Sequence, residues 1–321
     1  MLLLYFKFRR EITIDNTNNS NDLTDYQILV TIDTESLISA GRTRSDCGDI
    51  RFTDSDGVTL LNYWIESGIN TTSTKVWVKV PNIPANSIKK IYLYYGNPNA
   101  TSLSDGNKTF LLYNDFESGT LEGWNIYNGG GSGTGGVVLL DGRYQLKLYA
   151  PNTSNRVQAN KAFSSSNAGY AIEVLFKTGS TVGDGILIGF SDGSLQVPSE
   201  DHPKNAYLYA IARDGNARDK IEKVSGGTFT GLVSRSNTLS SNTYYRATFA
   251  WFGNSLYAFF NNQLVLTATD TTFSSFSYIF LGVDINDKYF DWIAVRKYTF
   301  PEPIVTVGPE RLVKTGILMD T

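Results

Sequence analysis

The sequence contains 321 residues, carries a formal net charge of -3, and has an aromatic content of 13%. This length suits two domains that each bury a core, whereas the slight negative charge excludes the basic surface from which nucleic-acid binding gains its affinity. A single Cys47 and a single His202 exclude an internal disulfide and a zinc site of four Cys/His ligands.

The N-terminus begins with an apolar stretch that imitates a secretory signal. Its basic residues follow the apolar run, and no small-residue cleavage motif comes next, so we do not interpret it as a signal peptide. No run approaches the ~18 apolar residues of a transmembrane helix, so no membrane span is expected. From 4 to 14 apolar and polar residues alternate, which predicts a strand whose buried face includes Leu4, Phe6 and Phe8.

The backbone groups of such an apolar first strand need a partner strand, because unpaired backbone groups beside apolar side chains are a template for pairing with another chain. We expect Leu4, Phe6 and Phe8 to complete a sheet, and two interpretations remain open. The strand pairs within its own chain, or it adds to the sheet of a neighbouring subunit and drives self-assembly.

Alternating runs separated by polar turns continue through the first third of the chain. They predict strands at 26–32, 49–53, 60–66, 75–80 and 88–95. The segment 99–109 is polar and lacks periodicity, as a linker does. We therefore predict a first β-sandwich domain over 1–107.

A second series of short runs follows, and Gly-rich turns separate its members. They predict strands at 144–149, 171–177, 185–190, 206–213, 244–252, 256–260, 264–269, 278–283 and 289–298. Dipeptides that suit positive φ, Gly253-Asn254 and Asn261-Asn262, join three of these strands as hairpins. The pattern predicts an all-β protein of two β-sandwich domains with short helices only, a second domain over 108–310, and a C-terminal tail over 311–321.

Two family resemblances accompany this pattern. The stretches 8–14, 23–30, 49–54 and 91–97 resemble the domain of unknown function DUF2341. The remainder resembles the concanavalin A-like or laminin G-like jelly rolls that follow this domain in microbial and archaeal surface proteins, on the motifs at 113–117 and 290–298 with Trp124. The resemblance implies an extracellular place, on a cell or virion surface, and a role in glycan binding or in assembly.

The usual catalytic motifs are missing from the sequence. A Ser-His-Asp triad would depend on His202, which lies in a polar loop without a nucleophile elbow. Jelly-roll glycosidases of the laminarinase type carry Glu-x-Asp-x-x-Glu on one strand, and no such triplet occurs. We predict a protein without enzymatic activity, while a glycoside hydrolase built from distant carboxylates stays an alternative.

Three carboxylates suggest a metal site. Asp115 and Glu117 lie near the start of the second domain and Asp291 near its end, on strands that lie close together in jelly rolls of this resemblance. Carboxylate oxygens suit Ca²⁺, so we predict a structural calcium ion there. The alternative is that these side chains are solvated turn residues.

Aromatic alternation suggests a sugar-binding face. Tyr207 and Tyr209 share one side of a predicted strand with Arg213, and sugar faces stack on aromatic rings. Tyr244 and Arg246 extend this face in our interpretation. The alternative is that the tyrosines belong to the core, because tyrosine is abundant throughout the chain.

Together these features predict a non-catalytic surface protein with a glycan-binding jelly roll and a sandwich for docking or assembly. One alternative is a structural subunit of a virion or extracellular filament that pairs through its N-terminal strand. The other alternative is a glycoside hydrolase.

Overall fold

The computed structural model describes residues 5–128, 131–152, 156–193 and 202–313. Strands dominate these residues, and the helices among them are the short segments α1 (Thr34–Ser39), α2 (Gly106–Thr109) and α3 (Arg213–Asn216). The prediction of an all-β protein with short helices is confirmed. None of these helices has the length and apolarity needed to cross a membrane.

The strands of the described residues are numbered in chain order. Before residue 100 they are β1 (Phe8–Asp15), β2 (Leu23–Ile32), β3 (Arg51–Thr53), β4 (Leu60–Leu61), β5 (Tyr63–Ser67), β6 (Thr74–Ile83) and β7 (Ile88–Tyr95). The following fifteen are β8 (Leu112–Asn114), β9 (Asn125–Tyr127), β10 (Thr134–Leu140), β11 (Arg143–Ala150), β12 (Val157–Ser166), β13 (Tyr170–Thr178), β14 (Ile186–Ser191), β15 (Ala206–Ala212), β16 (Arg218–Ser225), β17 (Thr228–Ser236), β18 (Tyr244–Phe252), β19 (Ser255–Phe260), β20 (Gln263–Thr269), β21 (Ser275–Val283) and β22 (Asn286–Lys297). The last is β23 (Ile304–Leu312).

The chain forms two compact units, and the first contains the described residues 5–111 and 300–313. A five-stranded sheet of order β23-β1-β7-β3-β4 and a three-stranded sheet of order β2-β6-β5 make up this unit. Ile12 and Ile14 of β1 are fully buried and share a core with Val78 and Leu93. Alternation on β1 directs these apolar residues inward, so the unit is the predicted β-sandwich.

The first strand is an interior strand of its sheet. Phe8 pairs with Tyr95 of β7 on one side and with Leu312 of β23 on the other. Phe6, which precedes β1, is buried. The strand therefore begins at Phe8, and from there it pairs within the chain, which fits the internal interpretation and not strand addition to a neighbour. Leu4 lies outside the described residues.

The position of β23 corrects the predicted domain boundaries. Residues 304–312 were expected at the end of the second domain or in the tail, but they pair with β1 of the first unit, from Asp15↔Ile304 to Phe8↔Leu312. Local alternation identifies a strand but not its partner, and Asp15 and Ile304 are almost 300 residues apart, so no sequence pattern predicts this return. At the other boundary the second unit begins at Leu112, close to the predicted position.

The second unit is contiguous, from Leu112 to Thr299. One sheet has the order β10-β11-β22-β13-β18-β19-β20, with β8 also paired to β22, and the other has the order β17-β16-β15-β14-β21-β12-β9. Half of the neighbouring strands in these two orders are distant in sequence, because the chain crosses repeatedly between the sheets, as in a jelly roll. The core between them contains Phe176, Phe190, Phe249, Trp251 and Phe290, all fully buried.

The two predicted hairpins of this unit are confirmed. Gly253 has a positive φ of 59° between β18 and β19, and Asn261 and Asn262 have φ of 48° and 67° between β19 and β20. Phe249 and Trp251 of β18 point into the core. The hairpins thus fix the register that turns the other side of β18 away from the core.

Candidate functional site

The tyrosines of β15 lie in the core of the second unit. Tyr207 and Tyr209 are both 0% exposed, and the Tyr207 ring packs edge-on against Trp251 at 5.5 Å between centroids. Their hydroxyl groups donate to carboxylate oxygens of Asp270 (2.5 Å) and Asp219 (3.1 Å). Burial and the hydrogen bond to Asp270 raise the pKa of Tyr207 to about 12. The predicted sugar stacking on these two rings is therefore wrong, because neither face is accessible.

The opposite side of β15 explains this error. Ala206, Leu208 and Ala210 are also fully buried, and they pack with Leu187 and Phe280. A strand that is buried on both sides shows no difference in exposure between its alternating faces. Sequence alternation alone therefore could not identify an outward-facing side.

Arg213, directly after β15, belongs to a buried ion cluster. Its guanidinium pairs with Glu222, and its Nε lies 3.3 Å from Asp284 Oδ2. Arg156 Nε lies 2.7 Å from the other oxygen of Asp284. The Phe229 ring centroid is 4.5 Å from the Arg213 guanidinium. Arg213 is only 9% exposed. Arg213 therefore neutralises buried carboxylates and is not the predicted sugar contact.

Arg246 is buried on the opposite sheet. Its Nη2 lies 3.0 Å from Glu173 Oε2, and Arg296 Nε lies 2.8 Å from Glu173 Oε1. Thr248 also donates to this carboxylate, at 2.6 Å. Burial alone would raise the pKa of Glu173, but the two arginines and Thr248 lower it to about 2. The prediction that Arg246 contacts a sugar is wrong as well, since this side chain serves a buried ion cluster.

Tyr244 is the predicted sugar contact that does reach the surface, with 38% exposure. It lies on the side of β18 that is turned away from the core. Strand pairing aligns it with Lys177 of β13, then with Tyr289 of β22 and Lys147 of β11. We call these four residues the lysine–tyrosine row. Adjacent strands are about 4.8 Å apart, so the row extends for about 14 Å across the sheet.

Cation–π contacts connect the members of the row. Lys177 Nζ lies 5.2 Å from the ring centroid of Tyr244, and Lys147 Nζ lies 5.7 Å from that of Tyr289. The ammonium group of Lys147 also pairs with Asp287 at 3.0 Å. Each lysine is thereby held beside an aromatic ring, which limits the rotamers of both partners.

A second acid fixes the Tyr244 end of the row. Asp141 Oδ2 lies 2.5 Å from Lys177 Nζ and accepts a hydrogen bond of 3.1 Å from the Tyr244 hydroxyl. Gln145 Nε2 donates to the same hydroxyl at 2.7 Å. Burial raises the pKa of Tyr244 above its usual value, so the phenol stays protonated at neutral pH. The ring is therefore held in place at its hydroxyl while more than a third of the residue is exposed.

The three predicted calcium ligands lie around an arginine. Arg143 Nη1 is 2.7 Å from Asp291 Oδ2, and Arg143 Nε is 3.7 Å from Glu117 Oε1. Asp115 accepts a hydrogen bond of 3.3 Å from Tyr113. Burial, together with the charges of Glu117 and Asp115, raises the pKa of Asp291 to about 6 in spite of Arg143.

This arrangement does not fit a calcium ion as it stands. The cation that neutralises Asp291 is the guanidinium of Arg143, and the described ranges contain no group of three or more acidic, His or Cys side chains placed to hold a metal. The calcium site stays a prediction, which would require Arg143 to move away from Asp291.

The sequence did not indicate three members of the row, Lys147, Lys177 and Tyr289. Each stands at a half-buried position of its strand, where a lysine or tyrosine is unremarkable. Only the register of β11, β22, β13 and β18 brings them next to Tyr244. A usable sequence signal would have been the residue beside a buried aromatic on β13 and β22, as Lys177 follows Phe176 and Tyr289 precedes Phe290, whereas Lys147 stands between two leucines.

Residues 46–126 match the domain of unknown function DUF2341. The predicted resemblance is thus confirmed, although the match covers the stretches 49–54 and 91–97 and leaves 8–14 and 23–30 outside. It also continues past the first unit into β8 and β9. No curated protein matches the chain.

Several solved structures resemble the chain at low identity. The carbohydrate binding module CBM66 from Bacillus subtilis is 16% identical, covers 55% of this chain and 96% of its own, and has a TM-score of 0.42. A Bacillus subtilis protein of unknown function with a galectin-like fold is 15% identical (59% and 96%, TM-score 0.47). A glycoside hydrolase family 16 endo-glucanase from Bacteroides ovatus is 14% identical (58% and 99%, TM-score 0.42). Similarity at this level does not identify a ligand for this chain.

Proposed function

We propose that this chain is a non-catalytic glycan-binding protein that holds a saccharide along the lysine–tyrosine row. The observation that supports this most is the exposed ring of Tyr244, which strand register aligns with Lys177 and Tyr289. The apolar face of a sugar packs on such a ring. The ammonium and carboxylate groups beside it provide donors and acceptors for sugar hydroxyls.

The charge of the row favours a neutral partner over a polyanion. Lys147 is paired with Asp287 and Lys177 with Asp141, so each cation is balanced by a neighbouring carboxylate. A surface that neutralises phosphates needs unbalanced positive charge. The balanced pairs are suited to the many hydroxyl groups of a saccharide, which accept from the lysines and donate to the aspartates.

Absence of catalysis is part of this proposal. The carboxylate beside the exposed tyrosine, Asp141, has a pKa lowered by hydrogen bonds from Lys177 and Tyr244, which suits a hydrogen-bond acceptor and not a general acid. A glycoside hydrolase is the second candidate, because the raised pKa of Asp291 is the property that a general acid needs. Asp291 is, however, 1% exposed, and substrate would have to reach it.

We also propose that the protein is extracellular, since polymeric glycans occur outside the cell. A structural subunit of a virion or filament remains a further proposal for the first unit. It would need a contact surface other than β1, whose two edges are filled by β7 and β23.

A glycan array followed by calorimetry on the full chain tests the proposal. Tyr244→Ala and Tyr289→Ala should each weaken binding of the best glycan by about tenfold, the contribution of one aromatic contact. Tyr144→Ala is the matched control, because Tyr144 is 38% exposed on the same sheet but is not part of the row. Unchanged affinity in both row variants would refute the site.

The hydrolase alternative is tested in the same samples. Reducing ends should not appear when purified protein is incubated with the glycans it binds. Their release by the unaltered chain, together with its loss in Asp291→Asn, would replace the proposed binding function by catalysis.

A further inference from the structure

A buried arginine in the first unit has no carboxylate partner. Arg51, the first residue of β3, is 5% exposed. Its Nη1 donates to the carbonyl oxygens of Gly48 (3.1 Å) and Ile50 (2.6 Å), and its Nη2 donates to that of Thr101 (2.5 Å). The Phe6 ring centroid lies 5.7 Å from its guanidinium. These contacts fix the plane of the guanidinium but do not neutralise it.

One donor of this guanidinium has no acceptor. Arg51 Nε is buried and donates to no oxygen, and no acidic side chain of the described residues lies in ion-pair distance of Arg51. A buried charge without an opposite charge is strongly unfavourable unless something else completes it. Nε lies on the same edge of the guanidinium fork as Nη2, whose bond to Thr101 uses one of its two protons.

A cleft borders Arg51. Its volume is about 610 Å³, and it is lined by Tyr5, Phe6, Arg51, Asn97, Asn99, Ala100, Thr101 and Leu103. Tyr5 is 75% exposed, and Asn99 is also exposed. The cleft therefore combines a fixed cation with an accessible aromatic ring and two amide side chains.

We propose that this cleft binds a carboxylate-bearing sugar, with the carboxylate on Arg51. Arginine binds carboxylates through two parallel hydrogen bonds, and the donors of Arg51 that remain for them are Nε and the second proton of Nη2. Tyr5 offers a ring for the apolar face of the sugar, and the amides of Asn97 and Asn99 offer donors and acceptors for its hydroxyls.

The residues of the cleft favour a carboxylate over a phosphate. Among the described residues that line it, Arg51 is the only cationic one, and one positive charge matches the single charge of a carboxylate. The aromatic ring at Tyr5 and the paired amides favour a pyranose over a small free acid, because a small acid would leave them without a partner.

Calorimetry on the full chain tests this proposal with matched ligands. Galacturonate oligomers are compared with the same oligomers after reduction of their carboxyl groups, and sialyllactose is compared with lactose. We expect the acidic member of at least one pair to bind at least tenfold more tightly, and the pair that does so identifies the source of the carboxylate. Equal affinity within both pairs, or no binding of either acid, overturns the proposal.

Variants locate the site. Arg51→Lys keeps the charge but loses the second hydrogen bond, so acid binding should fall at least tenfold, and Tyr5→Ala provides the same test at an exposed position if Arg51→Lys does not fold. Arg44→Gln is the control, because Arg44 is a half-exposed arginine of the same unit that already pairs with Asp46. Unchanged acid binding in Tyr5→Ala and in a folded Arg51→Lys would overturn the proposal.

The experiment also separates this cleft from the lysine–tyrosine row, which belongs to the other unit. Tyr244→Ala should leave the difference between acidic and reduced oligomers unchanged. If Tyr244→Ala abolishes that difference and Tyr5→Ala does not, the acid binds at the row and the cleft is not a site.

Discussion

Strands β15 and β18 both carry two tyrosines, and the two strands place them differently. Tyr207 and Tyr209 of β15 are completely buried, while Tyr244 at the start of β18 is exposed and Tyr245 beside it packs on the core. On β15 both faces are covered, so every side chain is part of the interior. On β18 the side turned away from the core is exposed to solvent at its first residue, Tyr244, whose ring is accessible there.

The exposure of a tyrosine thus depends on its position along the strand and not on its neighbours in sequence. On β18 the exposed Tyr244 is followed two residues later by the buried Arg246 and then by the buried Thr248. One side of β18 is thus exposed at its first residue and buried further along the strand.

Glu173 of β13 pairs with the buried Arg246 of β18, so Glu173→Gln tests the buried part of this face. It removes the carboxylate that neutralises Arg246 and Arg296 while it keeps the shape of the side chain. Loss of one partner of a buried ion pair should lower the free energy of unfolding by about 3–5 kcal/mol. Urea unfolding of the full chain, followed by tryptophan fluorescence, measures this change.

The control is Asp141→Asn, which removes an exposed carboxylate from the pair with Lys177 on the same sheet. Its unfolding curve should stay close to that of the unaltered chain, because exposed ion pairs contribute little. Equal effects of both substitutions would show that the buried and open portions of this face do not differ as described.

The burial of Asp291, two residues after Tyr289 on β22, can be tested through the dependence of stability on pH. Its folded-state pKa is about 6, above the usual value of 3.8, so the folded state binds its proton more tightly than the unfolded state does. The resulting stability is fully present below about pH 4 and is lost as the pH rises through about 6, by about 1–3 kcal/mol.

Thermal unfolding between pH 4 and 7 measures this effect as the difference between the unaltered chain and Asp291→Asn. The asparagine variant should gain in relative stability as the pH rises, because it lacks the titrating carboxyl group. A difference that does not depend on pH would contradict the burial of Asp291.

Tyr207→Phe tests the buried member of the comparison directly. It removes a hydroxyl that donates to Asp270 and accepts from the Phe273 amide at 3.1 Å. The free energy of unfolding should fall by about 1–2 kcal/mol, and glycan affinity should not change. Tyr244→Phe should change the free energy of unfolding less, since Tyr244 is 38% exposed and its hydroxyl donates to the exposed carboxylate of Asp141. A loss of glycan binding in Tyr207→Phe alone would reverse the assignment of the two tyrosines.

Calcium should have the smallest effect. Because Arg143 neutralises Asp291, we expect a chelator to leave the melting temperature of the full chain unchanged. A ligand that binds only the folded state raises the melting temperature, so a clear rise on addition of Ca²⁺, lost in Asp291→Asn, would restore the calcium site predicted from the sequence.

The sequence allowed the fold class and most strands to be predicted, because alternation and turn residues act locally. The strand predicted at 244–252 coincides with β18, and the Gly253 and Asn261 turns lie where positive φ is required. β16 and β17 were missed, since charged and small residues such as those of 218–225 hide their alternation. Pairing across the chain, as between β1 and β23, leaves no local pattern at all.

The candidate site was less accessible to sequence analysis than the fold. Tyr244 was identified correctly as a surface residue, but Tyr207 and Tyr209 were not, because β15 is apolar on one side and aromatic on the other and both sides are buried. Arg213 was predicted as a ligand contact because alternation places it on the same side as Tyr207 and Tyr209, and Arg246 was predicted as an extension of that face. Their acidic partners, Glu222 and Glu173, come from other strands, and only the register brings them together.

The return of β23 to β1 has a consequence for the order of folding. The five-stranded sheet of the first unit cannot be completed until residue 312 has been synthesised, because Phe8 pairs with Leu312. The second unit is contiguous and can fold before then, and by compacting it shortens the effective loop that separates β1 from β23. During synthesis we therefore expect the jelly roll to acquire its structure first, while β1 presents an open edge that pairs last.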